Sequence, residues 1–138
     1  MKRVFTDTSY WFSLAVRADG NHQRTLAFTA QLQEQGVLLC LSPLIISETH
    51  RLILYKLGIE AGQRFLAQLF KEIETKFVEV IPVGWSDLTQ ARVLINRYHD
   101  QDLSLTDTCS AVLMRRNNIS QIASYDRHFT VLQFEMLP

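Results

Sequence analysis

Several residue types that mark specialised folds are scarce in this chain. Cysteine occurs only twice, at Cys40 inside the apolar run Val37–Leu41 and at Cys109 in a stretch of helical character. Neither belongs to a paired Cys or Cys/His spacing, which excludes a disulfide framework and a zinc-finger type of centre and makes both thiols candidates for burial as small hydrophobes. Five glycines and three prolines are too few for a repetitive or linker-like chain. Neither sign of charge is in excess, with Lys+Arg and Asp+Glu at 14 each. No overall basic footprint of a nucleic-acid binder is therefore visible, although acids committed to a cation would leave the remaining surface more basic than the total suggests. No apolar run approaches the ~20 residues that span a bilayer. No apolar signal-peptide core follows Met1-Lys2-Arg3, so no membrane association and a cytoplasmic location are expected.

What remains is an ordinary globular composition, 47% hydrophobic and 20% charged over 138 residues. A chain of this length suits a single domain over 1–138 that buries roughly two-thirds of its unfolded surface. Apolar spacing and punctuation predict alternating strands and helices. Val4-Phe5 reads as a strand, Tyr10–Val16 and His22–Gln35 as helices, and Val37–Leu41 as a strand buried on both faces. Ser42-Pro43 starts a helix that Gly58 closes, because Ser42 can cap and Pro43 lacks only an N–H that would be unsatisfied there. Helices follow over about 60–74, 85–98 (opened by Ser86-Asp87) and from Ser104 to about Asn117. Strands are read at Phe77–Ile81, Ile119–Ser124 and, at an edge, Phe134–Met136. Such alternation favours an α/β sandwich around a largely parallel sheet, whose ligands bind outside the carboxyl ends of the strands.

Four short acidic phrases stand out against this background: Phe5-Thr6-Asp7-Thr8-Ser9, Ile46-Ser47-Glu48-Thr49, Leu103-Ser104-Leu105-Thr106-Asp107 and Ala123-Ser124-Tyr125-Asp126-Arg127. Asp7 and Asp126 fall at carboxyl ends of strands, whereas Glu48 and Asp107 fall in the first or second turn of helices entering from the same edge. Glu48 shares a 3-4-3 helical face with Ile45, Leu52 and Tyr55, and Asp107 shares one with Ala111 and Met114, so both acids should point inward. If the four converge, hard oxygen donors suit Mg²⁺ or Mn²⁺, and such ions activate water against phosphodiesters. Each acid also has a structural reading. Asp7 could cap the next helix, Asp107 could be a first-turn acid, Glu48 could pair with an arginine, and Asp126 could be a turn residue.

In the order and content of these phrases the sequence resembles the PIN-domain ribonucleases, and within them the VapC-like toxins of bacterial toxin–antitoxin pairs. The motifs that carry the resemblance are Val4-Phe5-Thr6-Asp7-Thr8-Ser9, Ser47-Glu48, Leu103-Ser104-Leu105-Thr106-Asp107 and Ser124-Tyr125-Asp126-Arg127-His128-Phe129, and they extend over nearly the whole chain. Gln133 departs from the pattern, standing where relatives often carry Gly. The resemblance implies a three-layer α/β/α sandwich of PIN type. It also implies an acidic quartet of Asp7, Glu48, Asp107 and Asp126 that binds Mg²⁺ or Mn²⁺ and hydrolyses RNA. Asp7 and Asp107 are then the principal ligands, with Ser9, Thr106 and Ser124 orienting carboxylates and Arg127 and Arg51 contacting substrate. His99 and His128 invite a general-base role that a metal-bound water makes unnecessary, and His128 is read as a packing or hydrogen-bonding residue; Asp100 and Asp102 are read as loop residues or outer carboxylates.

A small antitoxin protein and a homodimer are the partners this resemblance implies. The helices bearing Leu52, Ile53, Leu54, Phe65, Leu66, Leu69 and Phe70 also carry more apolar positions than one core-facing stripe uses. Two rivals come from other classes. One is a catalytically silent interaction module of the same fold. The other is a phosphate-receiver domain, which needs an adjacent acidic pair after the first strand and a lysine after a late one; Asp7 stands alone and no lysine follows Gly84.

Overall fold

The computed structural model describes residues 1–138. Five strands form one sheet in the order β3-β2-β1-β4-β5, with β1 at Arg3–Thr6, β2 at Leu38–Leu41, β3 at Val78–Val80, β4 at Gln121–Ala123 and β5 at Glu135–Leu137. Every pairing is parallel, with Val4 opposite Leu39, Leu39 opposite Val78, Phe5 opposite Ile122 and Ile122 opposite Met136. Seven helices complete an α/β/α sandwich: α1 (Thr8–Ala15), α2 (His22–Glu34), α3 (Pro43–Leu57), α4 (Ile59–Glu74), α5 (Trp85–Arg97), α6 (Leu105–Arg116) and α7 (His128–Val131). Helix-to-helix packing falls into two sets, α1 to α4 and α5 to α7. No helix is long and apolar enough to cross a membrane.

Local chemistry accounts for these elements. Ser42 accepts the Ile45 N–H and caps α3 ahead of Pro43, and Gly58 (φ +96°) ends α3 in a conformation that a side chain would strain. The core joins 29 buried apolar residues, with Val4, Phe5, Cys40, Leu41 and Ile122 fully buried on the three central strands. Helix α6 is buried continuously from Asp107 to Met114, so it is a core element with an acid at its first turn. Both cysteines are buried and free, and burial pushes each thiol up to about 11.

Three details differ from the sequence reading. Helix α5 is capped at Gly84, with Asp87 at its third position accepting the Gly84 N–H; Ser86-Asp87 lies inside the first turn. Tyr55 is 74% exposed, because the buried stripe of α3 is Ile45, Thr49 and Ile53, and Glu48 lies at its margin. Of the apolar residues on α3 and α4 expected to exceed the needs of the core, Ile53, Phe65 and Leu69 are core residues, while Phe70 is exposed together with Tyr55, Leu57 and Ile59. Gln133 holds φ at +69°, the left-handed region in which a glycine would be unstrained.

Strand β1 is the topological switch of the sheet. The chain passes from it to β2 and β3 on one side and later returns to β4 and β5 on the other. Loops leaving the carboxyl ends of β1 and β4 therefore diverge and leave a crevice, the usual ligand position in a parallel sheet. Asp7 lies immediately beyond the end of β1, and Asp126 three residues beyond the end of β4.

Candidate metal centre

Asp7 occupies the N-cap position of α1, yet its side chain makes no capping hydrogen bond. Its Oδ2 instead accepts from Ser124 Oγ at 2.9 Å and Ser9 Oγ at 3.2 Å. The carboxylate is 3% exposed, and burial pushes its pKa up to about 6. The Ser124 and Thr8 hydrogen bonds oppose that shift, and the charges of Asp107 and Asp126 add to it. No cation offsets this carboxylate.

Asp107 does cap. It exchanges hydrogen bonds with Ser104, accepting the Ser104 N–H on Oδ2 at 3.2 Å and returning its own N–H to Ser104 Oγ at 3.0 Å. A helix N-terminus favours an acid there. Burial nonetheless raises its pKa, the Ser104 contacts oppose the rise, and the charges of Asp126 and Glu48 add to it. The capping role and the clustered role thus coexist. Asp126 follows β4 and shapes the turn into α7, accepting the His128 N–H on Oδ1 at 3.0 Å. Glu48 pairs with no arginine; its Oε1 accepts from Thr8 Oγ1 at 2.7 Å.

The structure therefore brings Asp7, Asp126 and Glu48 each into electrostatic range of Asp107 at one sheet edge, and Asp126 into range of Asp7 as well. Ser9 and Ser124 tie the two strand-end loops together: Ser9 Oγ accepts the Tyr125 N–H and Ser124 Oγ accepts the Asp126 N–H, both at 2.9 Å. Thr106 forms no side-chain hydrogen bond to an acid, and the hydroxyl that orients Glu48 belongs to Thr8. Arg127 is exposed at the start of α7. Arg51 is exposed on α3 with its guanidinium 5.5 Å from the Tyr55 ring centre, and Asp100 and Asp102 are exposed in the α5–α6 connection.

His128, expected from the sequence to be a packing or hydrogen-bonding residue, stands inside the cluster. Its Nδ1 lies 3.1 Å from Asp126 Oδ1 and 3.7 Å from Asp107 Oδ2, and ligand atoms of these three residues all lie within 4.8 Å of one another. The signal available in sequence was its position two residues after Asp126 at a strand end.

These groups fit a divalent cation. The donors are hard oxygens with one imidazole, two of the acids are held against their own desolvation and mutual repulsion, and buried His128 Nδ1 has no hydrogen-bond partner. A cavity of about 940 Å³ lies elsewhere. It runs between α1–α2 and α3–α4, is lined mainly by apolar side chains such as Trp11, Leu14, Ile53 and Phe65, and touches none of the four acids.

Ribonuclease VapC26 of Mycobacterium tuberculosis (strain ATCC 25618 / H37Rv) is 25% identical over 131 residues, covering 94% of this chain and 92% of its own. The crystal structure of M. tuberculosis VapC20, a toxin that cleaves the sarcin–ricin loop, superposes with a TM-score of 0.80 at 22% identity over 95% of both chains. FitAcB from Neisseria gonorrhoeae superposes with a TM-score of 0.68 at 17% identity over 98% and 96%. VapBC2 from Rickettsia felis, solved with a DNA fragment from its promoter, superposes at 0.66 and 12% identity over 98% and 97%. The family model of the PIN domain matches residues 4–135, and the chain belongs to the PIN domain family.

Proposed function

We propose that this protein is a divalent-metal-dependent endoribonuclease of the VapC-like type, the toxin of a toxin–antitoxin pair. The observation that carries the reading is the set of carboxylates at the switch point, two of them buried, with no lysine or arginine to offset them and only the His128 imidazole within reach of Asp107 and Asp126. A folded chain keeps such a cluster at a cost, and a divalent ion removes that cost. VapC26, a ribonuclease by name, extends the reading to RNA.

Asp7 and Asp107 would hold the ion most directly, with Asp126 and Glu48 beside them. A Mg²⁺ or Mn²⁺ ion bound there supplies a Lewis acid for the scissile phosphate and an acidified water as nucleophile. The chain's own part is positional. Ser124 and Ser9 fix the Asp7 carboxylate, Ser104 fixes that of Asp107, and Thr8 fixes that of Glu48, so the oxygen cage is oriented before substrate arrives. Arg127, next to Asp126 in the chain, and Arg51, three residues after Glu48, are exposed, and their guanidinium groups are the candidates to hold RNA phosphates. Water adds to phosphorus, one P–O ester bond breaks, and the leaving oxygen takes a proton from solvent.

Partners follow from the same reading. FitAB and VapBC2 were solved as complexes with DNA, and a small antitoxin is assigned to this chain by analogy. The exposed Tyr55, Leu57, Ile59 and Phe70 support a homodimer or a partner contact on α3 and α4. The deciding experiment incubates purified protein with structured and single-stranded RNA in Mg²⁺, Mn²⁺ or EDTA. Metal-dependent cleavage by the native chain that is absent from Asp7→Asn is expected. Stoichiometric metal binding without cleavage of any RNA would favour the silent interaction module.

A further inference from the structure

The imidazole of His128 is one-third exposed, but its Nδ1 is buried and has no hydrogen-bond partner. Asp126 Oδ1 stands 3.1 Å away without meeting hydrogen-bond geometry, and Asp107 Oδ2 at 3.7 Å is beyond hydrogen-bond distance. Three ligand atoms from three residues face a common space and bond to none of one another. Adjacent ligands of a six-coordinate ion with bonds of about 2.1–2.2 Å stand roughly 3 Å apart. A separation of 3.1 Å between nitrogen and oxygen matches that spacing, and 3.7 Å is a slightly opened form of it.

Backbone N–H groups of the turn help to place the nitrogen there. The His128 N–H is anchored on Asp126 Oδ1, and the Asp126 N–H on Ser124 Oγ, which also donates to Asp7. One short turn therefore sets the acid and the imidazole together, at the mouth of the crevice that already holds Asp7 and Asp107.

We propose that His128 Nδ1 is a protein ligand of the metal centre alongside Asp107 and Asp126, and that this nitrogen biases the centre toward Mn²⁺ over Mg²⁺. The inference rests on the metal-dependent reading above and adds a donor to it. Chemistry supplies the bias: Mg²⁺ is hard and holds oxygen and water, whereas first-row transition ions accept an imidazole nitrogen readily. The ligand must be neutral at Nδ1, with any proton on Nε2.

The test uses the full chain loaded with Mn²⁺ and reads the ion itself. Electron paramagnetic resonance counts bound Mn²⁺, and pulsed measurements detect ¹⁴N coupling from a directly bonded imidazole. Native protein should bind Mn²⁺ and show that coupling. His128→Ala and His128→Asn should lose it while melting within a few degrees of native, and in both the ratio of Mg²⁺ to Mn²⁺ dissociation constants should fall roughly tenfold or more. Asn offers an oxygen at nearly the same place, so His128→Asn should keep Mn²⁺ binding even if His128→Ala is too loose to do so. Bound Mn²⁺ without nitrogen coupling, or coupling that persists in His128→Asn, would overturn the ligand assignment and leave the metal-dependent reading standing. Absence of any Mn²⁺ or Mg²⁺ binding at millimolar concentration would overturn both.

Discussion

Two regions of this molecule bury aspartate, and they do so in opposite ways. At the start of α5, Asp87 is enclosed and fully answered: Arg116 of α6 donates to Oδ1 at 3.2 Å and Oδ2 at 3.1 Å, and the Gly84 N–H adds a third bond at 2.9 Å. At the sheet edge, Asp7 and Asp107 are about equally enclosed, but hydroxyls and N–H groups are their only hydrogen-bond partners, other acids face them, and the one basic group in reach is the His128 imidazole, 3.7 Å from Asp107 and not hydrogen-bonded to it. The first arrangement is a clasp between two helices that closes on itself. The second is incomplete without something positive from outside the chain. Burial of an acid is thus no sign of function in this fold; the sign is burial that the chain leaves uncompensated.

The largest effect should come from emptying the second region of one charge. Asp107→Asn keeps an oxygen for the Ser104 N–H and removes a ligand charge, so RNA cleavage should fall about 10³-fold, roughly 4 kcal/mol of transition-state stabilisation. The same substitution relieves repulsion from Asp126 and Glu48, and the melting temperature of the metal-free protein should rise. Activity and stability would then move in opposite directions, as a site strained for function demands. Full activity of Asp107→Asn in saturating Mn²⁺ would remove Asp107 from the site.

Acid should sharpen the contrast further. The pKa of Asp7 is raised in the folded state to about 6 from 3.8, so the folded protein binds this proton more tightly than the unfolded chain does. Its contribution is a penalty at neutral pH that disappears as pH falls through 6 toward 4, worth at most about 3 kcal/mol. Urea midpoints measured in EDTA should therefore increase from pH 7 to pH 5 in the native protein, and this rise should be smaller in Asp7→Asn. With Mn²⁺ present the trend should reverse, because the ion competes with protons for the same oxygens.

How much of this was legible in the sequence depended on whether the signal was local. The strands before Asp7 and Asp126, legible to within a residue at their carboxyl ends, the Ser42-Pro43 start and the Ser104 cap each rest on a few neighbouring residues, and backbone chemistry at that range is nearly self-sufficient. The quartet could be suspected because strand ends share an edge in a parallel sheet. Pairings across the fold had no such signature. Arg116 and Asp87 are 29 residues apart, and Thr8 and Glu48 are 40 apart; nothing in their spacing announces either contact. Helix α7, at four residues, is too short to show periodicity, so the turn that delivers His128 to the acids was invisible as an element.

Breaking the clasp should leave the chemistry alone. Arg116→Ala strands Asp87, which is only 8% exposed at its side chain, while the lost guanidinium was itself about half exposed. The cost should be about 2 kcal/mol of stability, below the 3–5 kcal/mol typical of fully buried pairs, because the surviving Gly84 bond and solvent soften it. Turnover of RNA by the folded fraction should be unchanged. In Arg116→Ala combined with Asp87→Asn, part of the loss should return, since no unpaired charge remains; chemical denaturation of the four proteins measures the coupling.

The smallest expected effect probes the struts of the open region. Thr25 Oγ1 of α2 is within 2.6 Å of the Tyr125 hydroxyl and 2.7 Å of Ser13 Oγ, and Arg24 lies over the Tyr125 ring with its carbon 5.4 Å from the centre. Tyr125 sits between Ser124 and Asp126, and its N–H is held by Ser9. The acid loop is therefore pinned to α2 from outside the cluster. Tyr125→Phe removes one hydroxyl and keeps the ring, so it should cost about 1 kcal/mol. Asp126 is the acid nearest this strut, so the loss should appear as weaker Mn²⁺ affinity more than as a lower melting temperature. Calorimetric titration of Mn²⁺ into native and Tyr125→Phe protein distinguishes the two, and an unchanged affinity with a lowered melting temperature would make this strut part of the scaffold, like the clasp at Asp87.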